Sequence, residues 1–94
     1  MTEKQLDQVL AWINRQRVNL QKRKPLKRIP KGYRRSPQYC PIAKALNTKF
    51  KVMAETRFVK VYDAEGKIHK VNYPLVVKNF VYEFDNERLP KLIK

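Results

Sequence analysis

Between Lys22 and Arg35, eight of fourteen residues are cationic (Lys22, Arg23, Lys24, Lys27, Arg28, Lys31, Arg34 and Arg35), and Pro25, Pro30 and Gly32 are set among them. Like charges at this density repel one another, and prolines lack the amide donor that a helix interior or an inner strand needs, so no regular element is expected here. A fold must therefore be assembled from residues 1–20 and 36–94. The segment 21–35 is predicted to be an extended, mobile basic linker unless a partner orders it. Leu26, Ile29 and Tyr33 are suited to pinning it to the domain at intervals.

At 94 residues there is room for one core. A hydrophobic fraction of 43%, with 5 Tyr, 4 Phe and 1 Trp, is too rich for a disordered chain. Thr2 and Gln5 have capping-box spacing, and Leu6, Val9, Leu10 and Ile13 follow at the period of one helix face, predicting a helix over Glu3–Asn19. Trp12 falls off the centre of that stripe, and Arg15 and Arg17 load the later turns, where cations meet the negative end of the helix dipole. The stripe is expected to pack on its own domain; pairing with a second copy, as a homodimer through the N-terminal helix, is the alternative.

Pro41 suits the first turn of a short helix, Pro41–Leu46, because its missing N–H costs nothing there. Three strands are predicted over 49–54, 57–62 and 67–71, rich in Val, Phe, Tyr and Ile, with Asp63-Ala64-Glu65-Gly66 as the hairpin turn between the last two. Pro74 opens a final helix in which Val77, Phe80, Val81 and Phe84 share one face; Asp85 and Asn86 end it, and a basic tail runs from Leu89 to Lys94. The expected fold is α+β: N-terminal helix, basic linker, short helix, three-stranded antiparallel sheet, and a C-terminal helix packed on the sheet.

Strand alternation leaves two readings of the sheet. Phe58 and Tyr62 face the core, following the usual burial of Phe, and the valines lie outside or under the first helix. Alternatively Val59 and Val61 face the helix, and Phe58, Lys60, Tyr62 and His69 form an exposed aromatic and basic platform suited to nucleic-acid bases.

The run Cys40-Pro41-Ile42-Ala43-Lys44-Ala45-Leu46, followed by a sheet-like stretch, by Pro74-Leu75-Val76 and by Phe80-Val81-Tyr82-Glu83-Phe84-Asp85, resembles small proteins encoded by bacteriophages of actinobacteria, over about half of the chain. That group is mostly of unassigned function, so the resemblance implies a phage accessory protein and no catalytic residue. The order helix, three strands, helix from Pro41 to Phe84 is also that of double-stranded-RNA-binding domains. Their lysine cluster at the start of the last helix is missing, since this helix begins Pro74-Leu75-Val76-Val77 with Lys78 alone.

Lys and Arg number 22 against 8 acidic residues, a net charge of +14. Such a chain repels itself unless an anion neutralises it. Nucleic acid is the expected partner, DNA ahead of RNA. The candidate contacts are Arg15, Arg17, Lys22, Arg23, Lys24, Lys27, Arg28, Lys31, Arg34 and Arg35, with Lys60 and Tyr62 on the sheet. Phosphate neutralisation needs no fixed geometry, so little sequence specificity is expected. An acidic host protein, inhibited or redirected by the basic segment, is the second expectation, and association with the ribosome or another RNA the third.

Enzyme chemistry is not expected. One Cys and one His fall short of the three or four ligands of a zinc site, and they make a poor nucleophile and base. Glu83, Asp85 and Glu87 suit pairing with nearby lysines, and two glycines build no phosphate-cradling loop. No cofactor or metal is implied. A single Cys40 closes no intramolecular disulfide, the first twenty residues lack a secretory pattern, and no apolar run nears the roughly 18 residues of a membrane span. An intracellular, cytoplasmic protein is expected.

Overall fold

The computed structural model describes all 94 residues. Its elements are helix α1 (Glu3–Asn19), helix α2 (Pro41–Leu46), strands β1 (Met53–Ala54), β2 (Phe58–Tyr62) and β3 (Ile68–Asn72), helix α3 (Leu75–Asp85) and a single 3-10 turn at Pro90–Leu92. The strands form one antiparallel sheet in the order β1-β2-β3, and the fold is α+β. No helix is long and apolar enough to cross a membrane.

Local chemistry sets the helix ends. Thr2 accepts from the Gln5 N–H while Gln5 reaches back to the Thr2 N–H, so a complete capping box starts α1. Pro41 occupies the first turn of α2 behind Cys40, whose sulfur accepts from the Ala43 N–H. The first of the three predicted strands is shorter than the sequence suggests. Asn47 Oδ1 accepts from the Val52 N–H (2.6 Å), and the Thr48 N–H donates to the Phe50 carbonyl (3.1 Å), so residues 48–52 close a turn and only Met53 and Ala54 pair with β2.

The helices meet around α1, which packs on both α2 and α3. One apolar core joins Val9, Trp12 and Ile13 of α1 to Ile42 and Leu46 of α2, Val59 and Val61 of β2, and Val77, Phe80 and Phe84 of α3. Trp12 is therefore central, not peripheral: the buried face of α1 is rotated toward it, and Leu6 and Leu10 are left half-exposed. The Trp12 ring meets Tyr73 edge-on at 5.5 Å, and the buried Tyr73 hydroxyl has no hydrogen-bond partner. Val9 and Ile13 of the stripe are thus packed inside the same chain, as expected, while Leu6 and Leu10 stay partly open.

The segment 21–35 is ordered against the domain, which corrects the expectation of an extended, mobile linker. Lys22 takes a left-handed conformation (φ 54°), and the Arg23 N–H reaches back to the Arg17 carbonyl (2.8 Å), so the chain reverses and runs back along α1. Asn14 holds both backbone groups of Leu26, accepting at 2.7 Å and donating at 2.9 Å. Leu26 packs on the core, Ile29 is buried, and Tyr33 stays exposed. Further on, Gly32 forms a parallel bridge with Ile93, donating to the Leu92 carbonyl and accepting from the Lys94 N–H (both 2.9 Å), which fastens the basic tail as well. Side-chain amides and backbone donors supply what prolines and like charge withhold.

Three polar side chains of the α1 end and its turn explain the rest of that order. Arg17 donates from Nη1 to the Ala45 carbonyl and from Nε to the Lys24 carbonyl (3.0 Å). Gln21 donates to Leu46 (2.6 Å) and Tyr62 (3.2 Å), and Arg23 donates to Asn47 (2.9 Å). Together they satisfy the last carbonyls of α2, where positive charge also complements the helix dipole. Burial, and next the Arg23 charge, push the Arg17 guanidinium below its ordinary pKa. Replacing Arg17 with Met keeps the aliphatic volume but removes the donor to the Lys24 carbonyl and the closer of two donors to the Ala45 carbonyl. The expected loss is about 2–3 kcal/mol, read as a lower urea midpoint with an unchanged slope; an unchanged midpoint would show that Arg17 is not a structural strut.

Candidate nucleic-acid interface

The register decides which side of the sheet is open. Val59 pairs with Val71 and Ala54, and Val61 with His69; Val59 and Val61 are fully buried under the helices. The outward row is Phe58 opposite Asn72, Lys60 opposite both Met53 and Lys70, and Tyr62 opposite Ile68. The reading that put Phe58 and Tyr62 in the core is thereby corrected: both are only half-buried, on the outer face.

His69 does not belong to that outer face. The connection after Tyr62 spans Asp63–Lys67, with Gly66 at φ 86°, so Tyr62 pairs with Ile68 and His69 turns to the Val61 side. Asp63 organises this loop. Its Oδ1 accepts from the Glu65 (2.8 Å) and Lys67 (2.9 Å) N–H groups, and its Oδ2 lies 2.6 Å from His69 Nε2. The His69 bond and these amide donors hold the Asp63 carboxyl below the usual carboxylate range.

Around the outer row the face is aromatic and cationic. Lys70 Nζ sits 4.4 Å from the Phe58 ring centre. Phe50, brought over by the 48–52 turn, leans on Tyr62 with ring centres 4.8 Å apart and 31° between planes, and Lys49 Nζ stands 5.1 Å from the Phe50 ring. At the β1 edge, Lys51 donates to the Tyr39 hydroxyl (3.1 Å) and lies over that ring. None of the seven outward strand positions (Met53, Phe58, Lys60, Tyr62, Ile68, Lys70 and Asn72) carries a carboxylate. Lys60 and Lys70 are direct cross-strand neighbours, a like-charge pair that costs stability in the free protein.

The cations expected from the sequence are dispersed over several places. Lys60 and Tyr62 lie on the open face, as just described. Arg23 borders a depression with Lys49, Phe50, Asp63 and Glu65 at one end of that face, and Lys22 and Lys24 are exposed close to it in the chain. Arg17 is buried and Arg23 half-buried, both committed to the carbonyls around α2, so Arg17 is corrected from a contact residue to a structural one. Arg15 is exposed on α1. Lys27, Arg28 and Lys31 are exposed beside the first half of α1, away from the sheet. Arg34 pairs with Glu87 (2.9 Å), and the Arg35 N–H donates to Asp85 (2.9 Å). Phe50 and Lys70, absent from the sequence-based set, are the direct neighbours of Tyr62 and Lys60, with Lys49 over the Phe50 ring; Lys51 and Tyr39, also absent from it, pair with each other. A five-residue connection would have revealed Lys70 from the sequence; the turn that brings Phe50 over has no comparable signal.

No three His, Cys, Asp or Glu side chains gather to hold a metal ion. Burial pushes the Cys40 thiol above its ordinary pKa, and the Ala43 N–H aimed at its sulfur offsets this only in part. Alkylation of the native protein by iodoacetamide near pH 8 is expected to run at least about tenfold slower than that of the urea-unfolded chain; equal rates would mean an accessible, ordinary thiol.

Compared with known families, with curated proteins and with solved structures, the chain matches none of them.

Proposed function

We infer that this protein binds single-stranded nucleic acid, with DNA as the first partner, by laying unpaired bases on the open sheet face. Exposed or half-buried rings at Phe50, Phe58 and Tyr62 offer stacking planes for any base, and Lys49, Lys51, Lys60 and Lys70 stand around them at positions suited to phosphates. The observation that carries this reading is the Lys60–Lys70 pair in the middle of an aromatic strand face whose outward positions include no carboxylate. A bound phosphate chain turns that repulsion into attraction. Lys22, Lys24 and Arg15 add to the field that draws in the strand. Stacking and charge read little sequence, so the protein acts by covering a strand.

Fluorescence anisotropy with an oligo-dT strand and with a duplex of equal length tests the proposal. The single strand is expected to bind more tightly at every salt concentration. If the four lysines neutralise about four phosphates, affinity falls roughly 50-fold between 50 and 200 mM salt. A duplex bound as tightly as the strand would leave only bare phosphate attraction and sink the stacking platform. Retention of neither at low salt would sink nucleic-acid binding itself.

A further inference from the structure

On the helical side of the molecule a groove of about 610 Å³ runs between the first half of α1, residues 27–31 and the tail from Arg88 to Leu92. None of its lining comes from the sheet. Its apolar lining is Leu6 and Leu10 of α1, Ile29 of the basic segment, and Leu89 and Leu92 of the tail, and most of the surface exposed inside it is carbon. The α1 side carries Glu3 and Asp7. The opposite sides carry five cations: Lys27, Arg28, Lys31, Arg88 and Lys91. This is where the unsatisfied part of the α1 stripe ends up: Leu6 and Leu10 are only half-buried because the groove lies over them.

We propose that this groove is a docking site for an acidic amphipathic helix of another protein, which seats aliphatic side chains on Leu6, Leu10 and Leu92 and sets its carboxylates against Lys27, Arg28, Lys31, Arg88 and Lys91. The charge layout selects the occupant. Nucleic acid is disfavoured, because an aliphatic floor gives bases no ring to stack on, whereas an amphipathic helix can turn its carboxylates to the cationic sides and away from Glu3 and Asp7. A second copy is disfavoured, because every copy carries +14 and a symmetric contact brings the same five cations together. Along α1 the backbone groups are spent within the helix, so on that side a partner is held by side chains, and a helix presents them at matching spacing. The groove and the sheet face share no residue, and so the protein can hold a nucleic-acid strand and an acidic helix at once.

The test uses the full chain and a labelled synthetic helix of about 14 residues carrying Leu at i, i+3 and i+7 among glutamates. One control keeps its composition but scrambles the Leu stripe; a second replaces the Leu residues with Ser at the same charge. Near physiological salt the striped peptide is expected to bind at least about tenfold more tightly than either control, since the lost anchors are buried aliphatic side chains. Its addition should shift the methyl resonances of Leu6, Leu10, Ile29 and Leu92, and do so equally when the sheet face is saturated with oligo-dT. Binding of the scrambled peptide at equal strength would reduce the effect to charge alone and overturn the proposal. So would methyl shifts confined to Val59, Val61 and Ile68, or competition between peptide and oligo-dT for one surface. Concentration-dependent shifts of the groove methyls without peptide, accompanied by dimer in sedimentation, would assign the groove to a second copy instead. Because the oligonucleotide and the peptide are read separately, loss of either leaves the other interpretable.

Discussion

Gly32→Ala is expected to remove about 3 kcal/mol or more of stability, a large share of the roughly 5–14 kcal/mol available to a domain this small. A Cβ built there would lie 2.6 Å from the Pro41 nitrogen, 2.6 Å from the Tyr39 carbonyl oxygen and 2.7 Å from the Cys40 carbonyl carbon. All three atoms are backbone, so no flexible side chain can swing aside; either the start of α2 moves or the bridge from Gly32 to the tail breaks. Both losses propagate. α2 begins at Pro41, and the hydrogen bonds from Gly32 to Leu92 and Lys94 hold the tail. The comparison that isolates this cause is Gly66→Ala. Gly66 has φ 86°, yet the nearest atom to a Cβ there is Phe50 Cε2 at 3.8 Å, so the cost is conformational alone, about 1–2 kcal/mol. Urea unfolding followed by circular dichroism should therefore rank wild type above Gly66→Ala and Gly66→Ala well above Gly32→Ala. The reverse order would mean that the 32–41 approach is looser than the distances state.

These two glycines mark how far the sequence could be read. Signals confined to a few neighbouring residues were legible: the Thr2–Gln5 capping box and Pro41 predict α1 and α2 with the ends they have, Glu3–Asn19 and Pro41–Leu46. The turn role of Gly66 was legible too, because a positive φ leaves a local signature. Gly32 was not, because its requirement comes from residues 39–41 folding over it. The same holds for the basic segment. Charge and proline content correctly exclude helix and strand there, but order arrives through Asn14 and Arg17 of the preceding helix and through Gly32 pairing with the distant tail. Arg17 and Arg23 look like phosphate contacts in a list of cations; only the fold places the α2 carbonyls in front of them.

The sheet face was lost by one residue. Reading the hairpin turn as 63–66 pairs Tyr62 with position 67 and puts His69 opposite Lys60 on the Tyr62 face, whereas the loop includes Lys67 and pairs Tyr62 with Ile68. With a side-chain period of two, that single step exchanges the faces of all of β3, sending Lys70 outward and His69 inward. The extra residue is held by the Asp63 carboxylate, which accepts from both Glu65 and Lys67. The burial of valine in place of Phe58 and Tyr62 follows from what covers the sheet. Phe80, Phe84 and Trp12 already fill the core, and small β-branched residues complete it, leaving the larger rings outside.

The largest functional effect is expected from those outer rings. Phe50→Ala combined with Phe58→Ala removes two separate stacking planes, and base stacking on an aromatic ring contributes about 1–3 kcal/mol each, so oligo-dT affinity should fall roughly 30-fold to 10⁴-fold. Phe50 is 40% exposed and Phe58 half-buried, so the folded state survives their loss, and a melt of the double variant checks this. Lys60→Gln separates function from stability more sharply, because the two must move in opposite directions. Removing one partner of the Lys60–Lys70 pair relieves cross-strand repulsion and should stabilise the free protein by about 0.2–1 kcal/mol. It also removes a phosphate contact, weakening the oligonucleotide and lowering the salt slope by roughly 0.7. A surface kept at the expense of its own stability is what a binding face requires. A Lys60→Gln protein that melts higher and holds oligo-dT as tightly as before would put the strand elsewhere on the molecule.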